Sequence, residues 1–452
     1  MNKFSNKLNI AIVNVLNKRK KYAMNKDLNG GFGTADDYGG SIFSSMIRLV
    51  KKKSVKLPIV GLATLQAIFK EQGHKVRYFE GRLPKNEFDL ILIYGTIVDY
   101  RNENRICEML KGEFPEAKVG FIGPFPSVMP ELFSSGDFVV VGEAESFFID
   151  EFEDIYQMKG RVEVNSSTDI DKFPSPNFDG FPIEEYSYSP AISKKPFLAL
   201  QASKGCPYSC SHYCVYGEGQ GSKVRCRSPE KVVDDIIYIQ KRYGVLGVQF
   251  RDPTFGVVKG FIDGFCRELN DKRVEVEWGI ETRLDLISEE NILQMYKVGL
   301  RNINIGIETN DVEIAKSNRR KLVEIEHQER IIEFCKKLGV KLSAFYILAY
   351  EGDTRKSIHK MVDYAIKLNT FLARFAVATP YPGTGFYEQL SGEDRVVERD
   401  LEKYTQFNLV HKHKNLSQMG VKNLLNLALR RYYFRPSYFL MVIKWKIREF
   451  WS

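Results

Sequence analysis

At 452 residues the chain exceeds one typical hydrophobic core, so two or three domains are expected. Hydrophobic residues make up 44% and charged residues 27%, the ordinary balance of a soluble globular protein, which excludes a disordered or fibrous class. The net charge of +9 is spread along the chain, and a Lys-rich solvated surface accounts for it ahead of a nucleic-acid, membrane or anionic-substrate surface.

Residues 8–16, LNIAIVNVL, are too short to span a bilayer, and no small-residue cleavage site follows. They predict a first buried strand, and the expected location is cytoplasmic. Residues 1–164 then alternate short apolar runs with helical patterns, the mark of a parallel α/β domain. Strands are predicted at Asn9–Val15, Lys75–Phe79, Leu90–Tyr94, Lys118–Ile122 and Phe138–Val141. A helix is predicted from Pro58, at its first position, to Gln72, with Gly73 as its stop. Another covers about 103–113. Residues 17–56 are polar and read as a long loop.

Five prolines between 174 and 196 predict a linker over residues 165–195 that wraps the surface. From 196 to 388 the alternation resumes. Ser228 caps a helix that Pro229 opens, Ser288 caps another that Gly299 stops, and strands fall at 197–201, 248–251, 302–307, 340–348 and 372–379. Six such units curve a parallel sheet into a partial barrel. Residues 389–452 are predicted helical and end in the basic, aromatic run RRYYFRPSYFLMVIKWKIREFW. That run suits either an interfacial helix, with peripheral membrane contact and a lipid substrate, or a helix packed over the barrel mouth; packing is the reading carried forward.

The stretch GCPYSCSHYCVYG presents Cys206, Cys210 and Cys214 from one loop. Three thiolates there can hold three irons of a [4Fe–4S] cluster and leave the fourth open for chemistry. The rival is structural zinc on Cys206, Cys210, His212 and Cys214, in a nucleic-acid- or membrane-associated binding protein rather than an enzyme, but structural zinc sites draw ligand pairs from separated turns. Cys107, Cys226, Cys266 and Cys335 read as packing residues. With seven cysteines, an odd count, a metal role suits a reducing compartment better than a disulfide framework.

The loop resembles that of radical S-adenosylmethionine (SAM) enzymes. So do RCRSPEKVVDDI, VQFRDPTF, WGIETRLDLISEE, GLRNINIGIET and TPYPGTGFYEQL, which together cover most of residues 196–390. LPIVGLATLQAIFKEQGHKVRYFE, FDLILIYGT, KVGFIGPFPSVMPELF and VVVGEAE resemble the N-terminal cobalamin-binding domain of the same enzymes. The resemblance implies a Rossmann-like cobalamin-binding-type domain, a partial (β/α)6 radical SAM barrel and a C-terminal helical extension. It implies reductive cleavage of SAM to a 5′-deoxyadenosyl radical. Cobalamin-dependent methylation of an unactivated carbon follows, or, without functional cobalamin, C–C coupling, rearrangement or sulfur insertion.

By position, the resemblance places Tyr213 beside the cluster or adenine, Arg283 and Glu308 on the methionine or ribose, Asp252 on ribose or substrate, and backbone at Pro380 on adenine. Gly95, Thr96, Gly123 and Gly142 would offer small residues to a corrin. The sequence departs from the family in two places. Three residues, not two, separate Cys210 from Cys214, which either bulges the loop or shifts the third thiolate. No Asp-x-His-x-x-Gly motif supplies an imidazole to cobalt, so the domain binds cobalamin without a protein ligand or binds none; the first is carried forward. The implied partners are a small-molecule, lipid or peptide substrate and an electron donor such as flavodoxin or ferredoxin. The tail supplies no RNA-binding β-barrel, so nucleic acid is not expected.

Overall fold

The computed structural model describes residues 7–17, 24–38, 42–165 and 167–451. Strands β1 (Asn9–Asn14), β2 (Lys75–Glu80), β3 (Leu90–Tyr94), β4 (Lys118–Ile122), β5 (Phe138–Val141) and β6 (Gly160–Glu163) form a parallel sheet in the order β2-β1-β3-β4-β5-β6. Alternation along these strands serves both faces. Ile10, Ile12, Leu90 and Leu92 enter one core, while Ala11, Val13, Ile91 and Ile93 enter the other. The order reverses between β1 and β3, so the crevice at their carboxyl ends is the expected ligand site of such a sheet.

The second sheet holds β7 (Phe197–Leu200), β8 (Gly247–Phe250), β9 (Glu277–Thr282), β10 (Leu300–Glu308), β11 (Lys341–Leu348) and β12 (Leu372–Val377). They pair in sequential order and all in parallel, the expected partial barrel. Its helices begin and end where side-chain chemistry dictates. Ser228 accepts a hydrogen bond from the Lys231 amide, Pro229 opens the helix, and Gly244 closes it in a left-handed conformation. Ser288 and Asn291 form a reciprocal capping box. Helix Phe261–Asp271 is absent from the sequence expectations, although its inner face buries Phe261, Ile262, Phe265 and Leu269.

Four expectations are corrected. The helix predicted from Pro58 starts at Val60, because Leu57 and Ile59 are seated in the core before the chain winds. Of the loop predicted over 17–56, residues 18–23 and 39–41 lie outside the described residues. The remainder contains helix α1 (Ile42–Ser54), whose Ser44 hydroxyl donates to Asn426 in α9 (Gln418–Tyr433). The Pro-rich stretch does not wrap the surface. It buries Ile170, Phe173, Phe178, Phe181, Tyr186 and Ile192, and it sends the Tyr188 hydroxyl into the barrel to accept from Asn304 and Arg374, both at 2.8 Å.

Finally, the tail does not cover the barrel mouth. Tyr432 and Tyr433 bond backbone at Thr370 and Ala373, and the terminal helix α10 (Pro436–Trp451) sets Trp445 edge-on to Phe371. Those partners begin β12, so the tail lies at the amino-terminal end of the strands. Among the described residues no helix is long and apolar enough to cross a membrane.

Candidate active site

After β7 the chain pairs Ser203–Lys204 antiparallel with Arg225–Cys226, a two-residue neck that closes the loop between them. Gly205 makes the closure feasible: its φ is +87°, and a Cβ there would lie 2.2 Å from the Lys223 carbonyl oxygen. The Cys206 amide then donates to the Gly221 carbonyl at 3.1 Å. Further on, the Cys210 carbonyl accepts from the amides of both Tyr213 and Cys214, each at 3.1 Å. The extra residue is thereby wound into one helical turn. Positions four apart on such a turn point the same way, which carries Cys214 back toward Cys210.

None of the seven cysteines is in a disulfide, and the three of the loop are half-buried. Burial pushes the Cys210 and Cys214 thiols up, Cys214 to about 12, and each neighbouring sulfur adds to the effect. Arg320 and Arg283 act in the opposite direction on Cys210. Three adjacent thiolates out of water therefore need cationic partners, which is what bound iron ions provide. Among the described residues no three His, Cys, Asp or Glu side chains converge as a single-ion site requires. Cys210 and Cys214 on one turn, with Cys206 ahead of it on the same loop, instead suit a polynuclear cluster, where each sulfur takes its own iron. His212 packs against Phe386 with ring centres 6.0 Å apart.

The expected site residues divide into those at the cysteine loop and those elsewhere. Tyr213 lies edge-on to Tyr350 at 5.2 Å, and its hydroxyl accepts from Arg320 Nη1 at 3.5 Å. Glu308 ends β10 at a register shift with φ +66°, and Ala349 just past β11 has φ +61°. Left-handed backbone at two side-chain-bearing residues is strain stored at the barrel mouth. Burial raises the Glu308 carboxyl, against the pull of Arg320, 3.8 Å away, and Arg283. Arg283 does not pair with Glu308. It forks onto Asp285 at 2.9 Å and lies 4.3 Å above the Tyr208 ring of the cysteine loop. Pro380 is buried, and Tyr381 beside it packs against Phe32.

Arg320 was not anticipated, because SNRRK reads as a solvated charge run. In the structure its side chain is buried, it donates to the Gly306 carbonyl, and its Nε has no partner. A buried guanidinium with an unused donor beside Cys210 is the strongest anion-binding feature of the site.

Asp252 has a different role from the one expected. It accepts from the Ala202 amide at 2.8 Å and the Ser203 hydroxyl at 2.6 Å, so it anchors the neck. Burial raises its carboxyl to about 7. The folded state then holds a proton that the unfolded chain loses near pH 4, so this group's contribution to stability falls as pH rises from about 4 to about 7. Asp252→Asn is expected to retain the fold and flatten that pH dependence. Asp252→Ala is expected to cost about 1–3 kcal/mol, read from denaturant midpoints. Identical pH slopes in Asp252→Asn and the unaltered protein would refute the assignment.

A second feature lies between the two sheets. A cleft of about 120 Å3 is lined by Ile59, Gly61, Leu62, Leu65, Ile122, Gly123 and Gly142 on one side. Gln201, Lys204, Tyr216, Gln220 and Arg251 line the other. Apolar side chains interrupted by Glu143 and Glu145 face amide and charged groups, a mixed lining that suits one edge of a macrocycle with amide arms, and no lining residue is a histidine. Gly123 and Gly142 line the cleft as expected. Gly95 and Thr96 do not: Gly95 packs on Pro126 and Phe133, and Thr96 bonds the buried Glu103 through both its amide and its hydroxyl.

The reason is a strap, residues 24–38, that crosses the carboxyl ends of β3 and β4. Lys26 pairs with Glu103 at 2.5 Å, Asp27 with Arg251 at 2.6 Å, and the Gly31 carbonyl accepts from Tyr94 at 3.1 Å. Phe32 is fully buried against Phe125 and Tyr381.

Residues 200–365 match the family described as the radical SAM superfamily. The chain is 23% identical to an uncharacterized methyltransferase of Pyrococcus horikoshii, over 84% of this chain and 88% of that one. It is 23% identical to the bacteriochlorophyllide d C-12(1)-methyltransferase of Chlorobaculum tepidum, covering 77% and 75%. Its fold superposes with a TM-score of 0.67 on the radical S-adenosylmethionine methyltransferase TsrM of Kitasatospora setae, a structure with cobalamin and a [4Fe–4S] cluster bound, at 13% identity and over 93% and 91% of the two chains.

Proposed function

We propose, from the premise that this chain belongs to the radical SAM superfamily, that it cleaves SAM reductively at a [4Fe–4S] cluster on Cys206, Cys210 and Cys214 and methylates an unactivated carbon with cobalamin. When bound, the cluster supplies the electron that splits SAM into methionine and a 5′-deoxyadenosyl radical, and cobalamin supplies the methyl group. The observation that carries the reading is the cysteine turn, with Cys210 and Cys214 one turn apart and the spare donor of Arg320 beside them.

The chain's own residues do the positioning. Arg320 offers its free Nε–H to a carboxylate, the group that the methionine moiety carries. Glu308, held by Arg320, suits an ammonium or ribose hydroxyls. Tyr213 and Tyr350 wall the site against water. Beside the cysteine loop, whose Tyr216 and Gln220 line it, the cleft bordered by Gly123 and Gly142 is where a corrin would sit. A second reading, SAM cleavage driving another radical reaction without a corrin, is favoured by one observation: the strap already covers the carboxyl ends of β3 and β4.

The proposed electron donor is a small acidic redox protein such as flavodoxin or ferredoxin. Exposed Lys316, Arg319 and Lys321 suit it, on the turn whose Arg320 touches Tyr213. The substrate proposed is a small molecule, lipid or peptide, and the location is the cytoplasm, whose reducing conditions suit seven unpaired cysteines.

Anaerobic reconstitution with iron and sulfide is expected to give absorbance near ~400 nm and SAM-dependent release of 5′-deoxyadenosine. A colourless protein with stoichiometric zinc would defeat both readings. Cobalamin retained through purification supports methylation, whereas a cluster-bearing protein that takes up no cobalamin supports the second reading.

A further inference from the structure

The terminal helix α10 has two unlike faces. Inward, Trp445 packs edge-on to Phe371, the Tyr438 hydroxyl donates to the Phe371 carbonyl, and the Lys341 ammonium lies over both the Phe371 and Trp445 rings. Outward, Phe439, Leu440, Ile443 and Ile447 are each more than half exposed. At about 100° per residue these four fall within an arc of about 100°. Exposed Lys446 borders one edge of that arc and exposed Lys444 borders the other. A globular protein's helix ordinarily turns such a stripe inward. An apolar face outward with ammonium groups on both margins is the geometry of a helix lying in a membrane interface, where lysine stems run along the apolar surface and their heads reach the phosphates.

A second apolar face borders the same seam. On α1, Met46, Leu49 and Val50 are more than half exposed and share one helix face by their spacing. The end of α1 is tied to the Pro-rich segment through Ser54, whose carbonyl accepts from the Ser189 amide at 2.9 Å. One residue on, the Pro190 carbonyl accepts at 2.7 Å from Lys341, the residue over Trp445. Both helices thus flank residues 189–193.

We propose that this face docks the protein on an anionic bilayer surface, with α10 in the headgroup plane. Charge selects this occupant over a second copy of the chain. Two copies meeting stripe to stripe would bring lysine margins together, whereas anionic headgroups complement them and the net charge of +9. The docking face lies at the strand ends opposite the cysteine loop, so docking does not cover that loop, and the inference does not depend on the proposed chemistry.

The test is flotation of the full chain with vesicles of phosphatidylcholine alone or with about a third phosphatidylglycerol. Binding to the anionic vesicles is expected to exceed binding to neutral ones at least about tenfold and to fall in about 0.5 M salt. Leu440→Glu with Ile443→Glu is expected to lower it at least about tenfold, and Lys444→Glu with Lys446→Glu to remove the preference for anionic lipid. All four side chains are exposed, so circular dichroism and elution volume should not change. If the glutamate pair disturbs either, Ile443→Ser with Leu440→Ser serves instead. Failure to float, flotation unaffected by the variants, or a dimer that the same variants dissolve would each overturn the proposal.

Discussion

Cys214→Ala is expected to abolish SAM cleavage, a loss of at least about a thousandfold, and to remove the absorbance near ~400 nm after anaerobic reconstitution. The proposed ligand role of Cys214 rests on the turn. Its amide and that of Tyr213 converge on the Cys210 carbonyl, so its sulfur comes back along the turn despite the three intervening residues. Cys226→Ala is the matched control. Cys226 is also half-buried and lies on the neck of the same loop, but outside the turn, and its variant is expected to keep both the colour and the cleavage. Full cleavage by Cys214→Ala would show that the third ligand lies elsewhere.

The second large effect is on stability. Arg251 is almost fully buried, between Asp27 of the strap at 2.6 Å and Glu281 of β9. Its guanidinium is the single cation joining the strap to the barrel through both of these carboxylates. Arg251→Met preserves much of the side-chain volume but leaves two buried carboxylates without a cation, and is expected to cost about 3–5 kcal/mol in a denaturant titration. Adding Asp27→Asn to that variant should recover part of the loss, because one of the stranded charges disappears. A cost below about 1 kcal/mol would mean that solvent reaches these carboxylates and that the strap is held mainly by Phe32 and Lys26.

Removing the strap's grip also bears on the choice between the two functional readings. If the strap excludes a corrin, the Arg251→Met variant should gain affinity for added cobalamin. If the cleft already admits one, its affinity should hold or fall.

Local chemistry made much of the fold legible. Leu90–Tyr94, Lys118–Ile122 and Phe138–Val141 are strands over the predicted residues, because runs of β-branched and aromatic side chains buried on both faces fit little else. Ser228 and Ser288 act as caps because one side-chain oxygen meets one orphan amide a few residues away. The cysteine loop stood out for the same reason: its three sulfurs lie within nine residues. What escaped sequence reasoning depends on contacts across long separations. Arg320 looked solvated because its partners, Gly306 and Tyr213, lie on other elements. Arg283 lies at the cysteine loop, over Tyr208, but its fork onto Asp285, two residues on, could be seen only in the structure.

The sequence by itself determined the two α/β layers, the order of their elements and the loop that carries the cysteines, since periodicity, capping and spacing act within a few residues. Only the tertiary structure decided that the loop after β1 returns as a strap over the strand ends and that Asp252 anchors the neck. It also decided that Tyr188 enters the barrel and that the apolar stripe of α10 faces outward. Each of these depends on which distant surface a side chain meets when the chain closes. An ion pair such as Asp27–Arg251, formed across 224 positions of the chain, leaves no period or motif along the chain to be read.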